Sequence, residues 1–295
     1  MSVQTVAQRA RTTEREQAST QVMQRRVANG ASLVLLIVLA IIWVLPILWS
    51  IDTSLKPESE TTAIPVSWLA SHFTFAAYIT TFATTGLFRW YFNSFLTSAI
   101  ISLVTIVLAS MAAFAFSRVP FRGKNILFWI ILAGIMVPGQ ILIVPLYTQM
   151  QSFGLVDTYW SIILPQLASP LAVFIFKQYF DGIPYELEEA ALMDGASLFR
   201  VYWQIWMPLA MPAVAAVGIF AFVLSWNNFL LPFIMISGTN LMTVPVGLST
   251  VQTSFGIRYA QIMATAVLGG VPVLIVFLFF QRQIVQGIAG TGLKG

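Results

Sequence analysis

The stretch Tyr91-Phe-Asn-Ser-Phe-Leu-Thr-Ser-Ala-Ile-Ile-Ser-Leu-Val-Thr-Ile-Val-Leu-Ala-Ser-Met-Ala-Ala-Phe-Ala-Phe-Ser117 carries no charged side chain. It exceeds the roughly 20 apolar residues that a helix needs to cross a bilayer. Outward from it the pattern repeats: uncharged stretches run from Ser32 to Ile51, Asn125 to Val156, Thr158 to Phe176, Val201 to Ile257 and Tyr259 to Gln281. An ionised side chain at the bilayer centre costs at least about 2.5 kcal/mol, so the gaps between charges locate the spans. The stretch between Arg200 and Arg258 holds one span, near Trp206 to Phe233, and then a polar connection through Ser237, Gly238, Thr239 and Asn240. Pro138, Gly139 and Pro145 predict a broken or kinked helix within Asn125 to Val156. The expected fold is all-α, a polytopic membrane protein with six transmembrane helices.

Composition agrees. Of 295 residues 58% are hydrophobic and 9% charged, against roughly 25% charged in soluble domains. The 18 glycines and 14 prolines lie mostly inside or beside apolar runs, which favours kinked helices over barrel strands. With no cysteine, thiol catalysis, disulfides and thiolate metal sites are excluded. The net charge of +4 comes without the dense basic patch that tracking a phosphate backbone requires, so no nucleic-acid partner is expected.

Lysine and arginine set the orientation, because cytoplasmic loops near spans are enriched in them. With six spans, the side of the termini holds Arg9, Arg11, Arg15, Arg25, Arg26, Arg118, Arg122, Lys124, Lys177, Arg200, Arg282 and Lys294, and the other side holds Lys56, Arg89 and Arg258. Both termini are therefore expected in the cytoplasm. The organisation is a cytoplasmic tail over 1–31, an anchor helix over 32–52, an extracytoplasmic loop over 53–90, a core over 91–281 with a cytoplasmic elbow at 181–208, and a cytoplasmic tail over 282–295. No small-residue cleavage site follows the first apolar run, so it stays as an anchor. Residues 1–31 are either a short helix on the inner membrane surface or disordered, and their composition favours disorder.

The spans lack His, Lys, Arg, Asp and Glu away from their ends, unlike proton-coupled pumps and voltage sensors. His72, the one histidine, falls in the outer loop and is read as solvated. Gly123-Lys124 and Gly292-Leu-Lys294 lack the spacing of a phosphate-cradling loop, so any ATP and Mg would be bound by partner subunits, and the chain needs no cofactor of its own. Neither an acid-base pair nor a metal cluster faces the interior, which argues against an enzyme. The mid-membrane polar groups are neutral: Gln140, Asn227 and Asn228, beside Trp226. They suit a neutral hydroxylated solute, since amides donate and accept and aromatic faces cover sugar rings. Interhelical hydrogen bonding explains any one of them equally well.

Five of the 11 acidic residues crowd the inner loop: Asp181, Glu186, Glu188, Glu189 and Asp194. Such a cluster invites a basic partner. Asp181-Gly-Ile-Pro-Tyr-Glu-Leu-Glu-Glu-Ala-Ala-Leu-Met-Asp-Gly195 reads as a short helix with Pro184 in its first turn and Gly195 in the left-handed position after its end. Ser197 then caps a second helix containing Phe199, Tyr202, Trp203 and Trp206. Leu187, Ala190 and Ala191 share one face, giving a small apolar and acidic surface that fits a partner's groove.

Glu189-Ala190-Ala191, Gly195 and Ile205-Trp206-Met207-Pro208 resemble the E-A-A-x-x-x-G-x₉-I-x-L-P signature of ABC importer permeases, with Met207 in place of the usual Leu. Arg118 to Lys124, Val137 to Pro145, Ile183 to Ala191, Ser225-Trp-Asn-Asn-Phe229 and Gly287 to Gly295 resemble the carbohydrate branch of that family, in particular its maltose-type second permease subunit. Asn228 departs from the Asp or Glu that the branch often carries there. The resemblance spans roughly residues 32 to 295.

The resemblance implies a bacterial or archaeal inner-membrane importer built from two permeases, an ABC ATPase dimer and an extracytoplasmic solute-binding protein, carrying a carbohydrate. In it the elbow docks in a cleft of the ATPase. The coupling residues are then Glu188, Glu189, Ala190, Ala191, Asp194, Gly195 and Pro208, with Glu189 pairing with a basic residue. The tail ending in Lys294 and Gly295 is either an extension that reaches the ATPase or a frayed terminus. Thr250, Gln252 and Phe255, in the loop from Leu241 to Arg258, either contact the binding protein or form an ordinary outer connection. The alternative from a different class is a sodium-coupled secondary carrier of a neutral polar solute, since carbonyls and hydroxyls can hold Na⁺ without a carboxylate.

Overall fold

The computed structural model describes the backbone of residues 3–65, 67–254 and 257–292 and the side chains of 29–65, 67–251, 257–279 and 281. Every regular element among the described residues is a helix. Three helices are long and apolar enough to cross a membrane: Asn29–Ser54, Leu87–Arg118 and Tyr259–Phe279. Three further pairs meet the same test together but are bent, Lys124–Met136 with Gly139–Ser152 by 95°, Tyr159–Gln166 with Pro170–Asp181 by 43°, and Leu198–Leu209 with Met211–Trp226 by 79°.

Each bend has a proline at its cause. Pro138 forces Val137 into extended backbone, and Pro170 does the same to Ser169. Pro212 has no N–H to return to the carbonyl of Pro208, so the helical ladder parts at Ala210. The last break corrects the expected start of the span after the elbow. Trp206 belongs to the segment before the bend, and the apolar helix begins at Met211.

The boundaries of the tails differ too. One helix runs through Val3–Ser54 with no interruption at residue 31, because Gln, Ala, Arg and Met are good helix formers and no proline occurs before Pro46. The last helix, Tyr259–Gly292, likewise continues past Gln281. The loop expected over 53–90 contains the helices Glu58–Thr61 and Ala76–Thr84, and the next helix starts at Leu87 behind Gly86. Lys56 clamps this segment: buried, it lies 2.7 Å from Asp52, donates to the Ser67 carbonyl at 2.8 Å and sits over the Trp49 ring. His72 has an acidic neighbour, Glu60, 3.8 Å away.

In lipid, apolar burial supplies little drive, so close packing and interhelical hydrogen bonds hold helices together. Leu87–Arg118 is built for that, with Ser94, Ser98, Ser102, Thr105 and Ser110 all buried. Ser98 meets Ser225 at 3.2 Å, and Ser102 donates to the Gly218 carbonyl at 2.7 Å. An aromatic core of Phe114, Phe176, Phe180, Tyr202 and Trp206 lies next to the elbow, with Ala191 and Ala196 packed against it.

Candidate functional site

The elbow forms as two helices, Glu186–Met193 and Leu198–Val201, the second continuing through a π-helical turn at Tyr202–Trp206. Pro184 stands just ahead of the first helix rather than inside it. Gly195 takes φ +80°. Its N–H donates to the Leu192 carbonyl and that of Ala196 to the Ala191 carbonyl, both at 3.0 Å. This paired closure needs a left-handed residue after the helix, which glycine supplies without Cβ strain. The Ser197 hydroxyl then caps the next helix by accepting from the Arg200 N–H at 3.3 Å.

The acidic run divides by helical phase. Glu186, Glu189, Ala190 and Met193 are exposed on the outward face, while Glu188 is 2% exposed and points into the chain. Ala191 also turns inward, toward the aromatic core. Asp194, Gly195 and Pro208 are exposed. Glu188 therefore does not share the surface on which a partner could sit. Its Oε2 lies 3.8 Å from Nε of Arg118, and neither atom has a hydrogen-bond partner among the described residues. Burial pushes the Glu188 carboxyl above the ordinary carboxylate range, Arg118 opposes that and Glu189 reinforces it. A shallow groove beside the elbow is lined by Tyr179, Ile183, Pro184, Leu187 and Leu209.

The path residues do not behave alike. Gln140 is exposed on the turn Gly139–Leu142, at the 95° break. Asn227 is exposed and donates to the Val223 carbonyl at 2.8 Å. Trp226 is 3% exposed and stacked between Tyr91 and Phe222. Within this chain it packs between rings and presents little surface, unlike Gln140 and Asn227. Asn228 donates to Gln166 Oε1 at 3.0 Å. Gln166 is not among the residues that the sequence singles out. Its signal was Pro165-Gln166 within an otherwise apolar span, at the point where the helix bends.

Thr250 donates to the Gly247 carbonyl at 2.7 Å within the helix Val244–Ser254. The Gln252 side chain, Phe255, Lys294 and Gly295 lie outside the described residues. No group of three or more His, Cys, Asp or Glu placed to hold a metal occurs among the described residues.

Residues 105–289 match the family model described as a binding-protein-dependent transport system inner membrane component. The chain belongs to that family. It is 36% identical over 260 residues to the arabinooligosaccharides transport system permease protein AraQ of Halalkalibacterium halodurans, covering 87% of this chain and 93% of that protein. It is 34% identical over 252 residues to the sulfoquinovosyl glycerol transport system permease protein SmoH of Agrobacterium fabrum, covering 85% and 88%. Its fold matches a chain of a bacterial ABC transporter involved in the import of the acidic polysaccharide alginate, with TM-score 0.78, 21% identity, and 87% and 96% of the two chains covered. Membership makes this chain a permease component of an ABC importer in the carbohydrate branch, and the sodium-coupled carrier is set aside.

Proposed function

We propose that this permease spans the inner membrane six times, with each bent pair counted as one span and both termini in the cytoplasm. With a second permease it lines the path of a carbohydrate driven by ATP hydrolysis on an ABC ATPase dimer, and it has no catalysis of its own. An extracytoplasmic binding protein delivers the sugar, touching Thr250, Gln252 and Phe255. Lys294 and Gly295 reach toward the ATPase. Gln140, Asn227, Asn228 and Gln166 contribute neutral polar groups to the path. AraQ and SmoH, named for transport of two different sugars, support the substrate class.

One observation carries the coupling role: the elbow helix turns Glu186, Glu189, Ala190 and Met193 outward while its other face is fixed to the chain's own core. An acidic face with a small residue at its centre allows close approach by a basic cleft, and charge reversal there costs several kcal/mol. The test is purification of the tagged chain with its subunits. The unaltered chain brings down a second permease and an ATPase. Glu189→Lys should keep the permease partner and lose the ATPase. A Glu189→Lys complex that holds its ATPase, with hydrolysis still stimulated by the binding protein, rejects the docking assignment.

A further inference from the structure

Arg118, the last residue of Leu87–Arg118, reaches four separate parts of the chain. Its Nη2 donates to the carbonyls of Phe180 at 2.9 Å and Ile183 at 2.8 Å, at and just beyond the end of the helix Pro170–Asp181. Its Nε lies 3.8 Å from the Glu188 carboxylate on the elbow helix. Its guanidinium sits 4.1 Å over the Trp206 ring and 5.4 Å from the Tyr185 ring. A helix cap alone needs only the two carbonyls. The contacts with Glu188, Tyr185 and Trp206 go further, joining the inner end of one apolar helix to the elbow and to the turn that enters the next.

The backbone leads into the first elbow helix, Glu186–Met193, through Gly182 and out of it through Gly195, both weak points for transmitting a push. Between them the side of that helix facing the chain is held by Ala191 and the Arg118 to Glu188 contact, and Ala196 packs on the same core just after Gly195. The pair is buried, so the attraction of Arg118 for the carboxylate is poorly screened and offsets part of the cost of burial. At 3.8 Å it is not closed into a hydrogen bond.

We propose that Arg118 is a positioning residue that makes the elbow, as far as Trp206, and the inner ends of the apolar helices Leu87–Arg118 and Pro170–Asp181 move as one body. The proposal rests on the docking reading above, because something must move the elbow. A planar, forked guanidinium can cap two carbonyls, face a carboxylate and stack on rings at once, which the single ammonium of lysine cannot.

The chain has no native cysteine, so spin labels can be placed singly at Leu192→Cys on the flank of the elbow and Phe88→Cys at the far end of Leu87–Arg118, both exposed sites. Label separation is measured by electron–electron resonance in the whole complex with its partner permease and ATPase, nucleotide-free and trapped with ATP and vanadate. With Arg118 present the separation should differ by less than about 2 Å between the two states, the scale of a packed helix shift, whereas Arg118→Lys should give a change of about 5 Å, the scale of a helical turn. Glu188→Ala, which removes the contact itself, should give a smaller change of the same kind. The proposal is overturned if the native separation itself shifts by the larger amount, or if both variants follow the native pattern. It is also overturned if both variants fail to assemble, which would make the pair a folding contact. If only one fails, the other decides. Retention of the ATPase by Glu189→Lys would count against the docking reading separately.

Discussion

The amide nitrogen of Asn228 donates to Oε1 of Gln166 across 3.0 Å, joining the break after Trp226 to the bend that separates Tyr159–Gln166 from Pro170–Asp181. Gln166 also donates to the Ile162 carbonyl at 2.8 Å, and the Leu231 N–H donates to Asn228 Oδ1 at 3.3 Å. Two helix interruptions thus share one amide pair.

Replacing Asn228 or Gln140 by Leu should lower uptake of the native sugar several-fold while hydrolysis stimulated by the binding protein persists, because the elbow is untouched. The loss of one hydrogen bond to a neutral solute is worth about 0.5 to 1.5 kcal/mol. Uptake assays on the intact complex decide this. Unchanged uptake in both variants would assign the residues to helix packing and move the sugar to the partner permease.

Gly195→Val should destabilise the elbow by about 1 to 2 kcal/mol, the cost of left-handed backbone for a residue with a Cβ. A Cβ at Gly195 meets nothing within 4 Å, so the penalty is conformational and not steric crowding by neighbours. Gly195→Asn should be milder. ATPase retention on purification reads the difference, and equal behaviour of Val and Asn would mean the two helices meet in some other way.

Gly247→Ala should lower the melting temperature of the purified permease, since the added methyl would overlap the indole of buried Trp90. Overpacking of this kind costs about 1 to 3 kcal/mol. Gly270→Ala, where a Cβ meets nothing within 4 Å, is the helical control and should raise melting slightly, since alanine gains roughly 0.5 to 1 kcal/mol over glycine inside a helix. A melting temperature raised as in the control would show that Trp90 moves aside freely.

Burial raises the Glu188 carboxyl above its ordinary value, so the folded elbow binds a proton more readily than the detached one. Its contribution to elbow stability is then fully present below the ordinary carboxylate range and is lost as pH rises through the raised value. Amide exchange of residues 186–193, followed from pH 4 to 7 and corrected for the intrinsic rate (about these values as a working window for a raised carboxyl), should show protection falling with pH. Glu188→Gln should flatten that dependence. A slope of the opposite sign would mean that attraction by Arg118 outweighs burial.

The amino-acid sequence by itself determined the helical membrane class, the proline-marked break near Pro138 and the elbow with its turn at Gly195. These follow from local rules: bilayer thickness sets apolar length, a proline removes an N–H, and a left-handed position favours glycine. The signature singles out Glu189, but the residue types alone put Glu188 in the same exposed acidic run. Only the assembled helices, which bring Arg118, itself seated over Trp206, beside Glu188, decided which of them faces inward. Likewise Trp226 and Asn228 looked alike as path residues until Tyr91 and Phe222 covered one and Gln166, 62 positions away, paired with the other. Helical phase relative to a distant neighbour is a property of the assembled helices, and no local spacing encodes it.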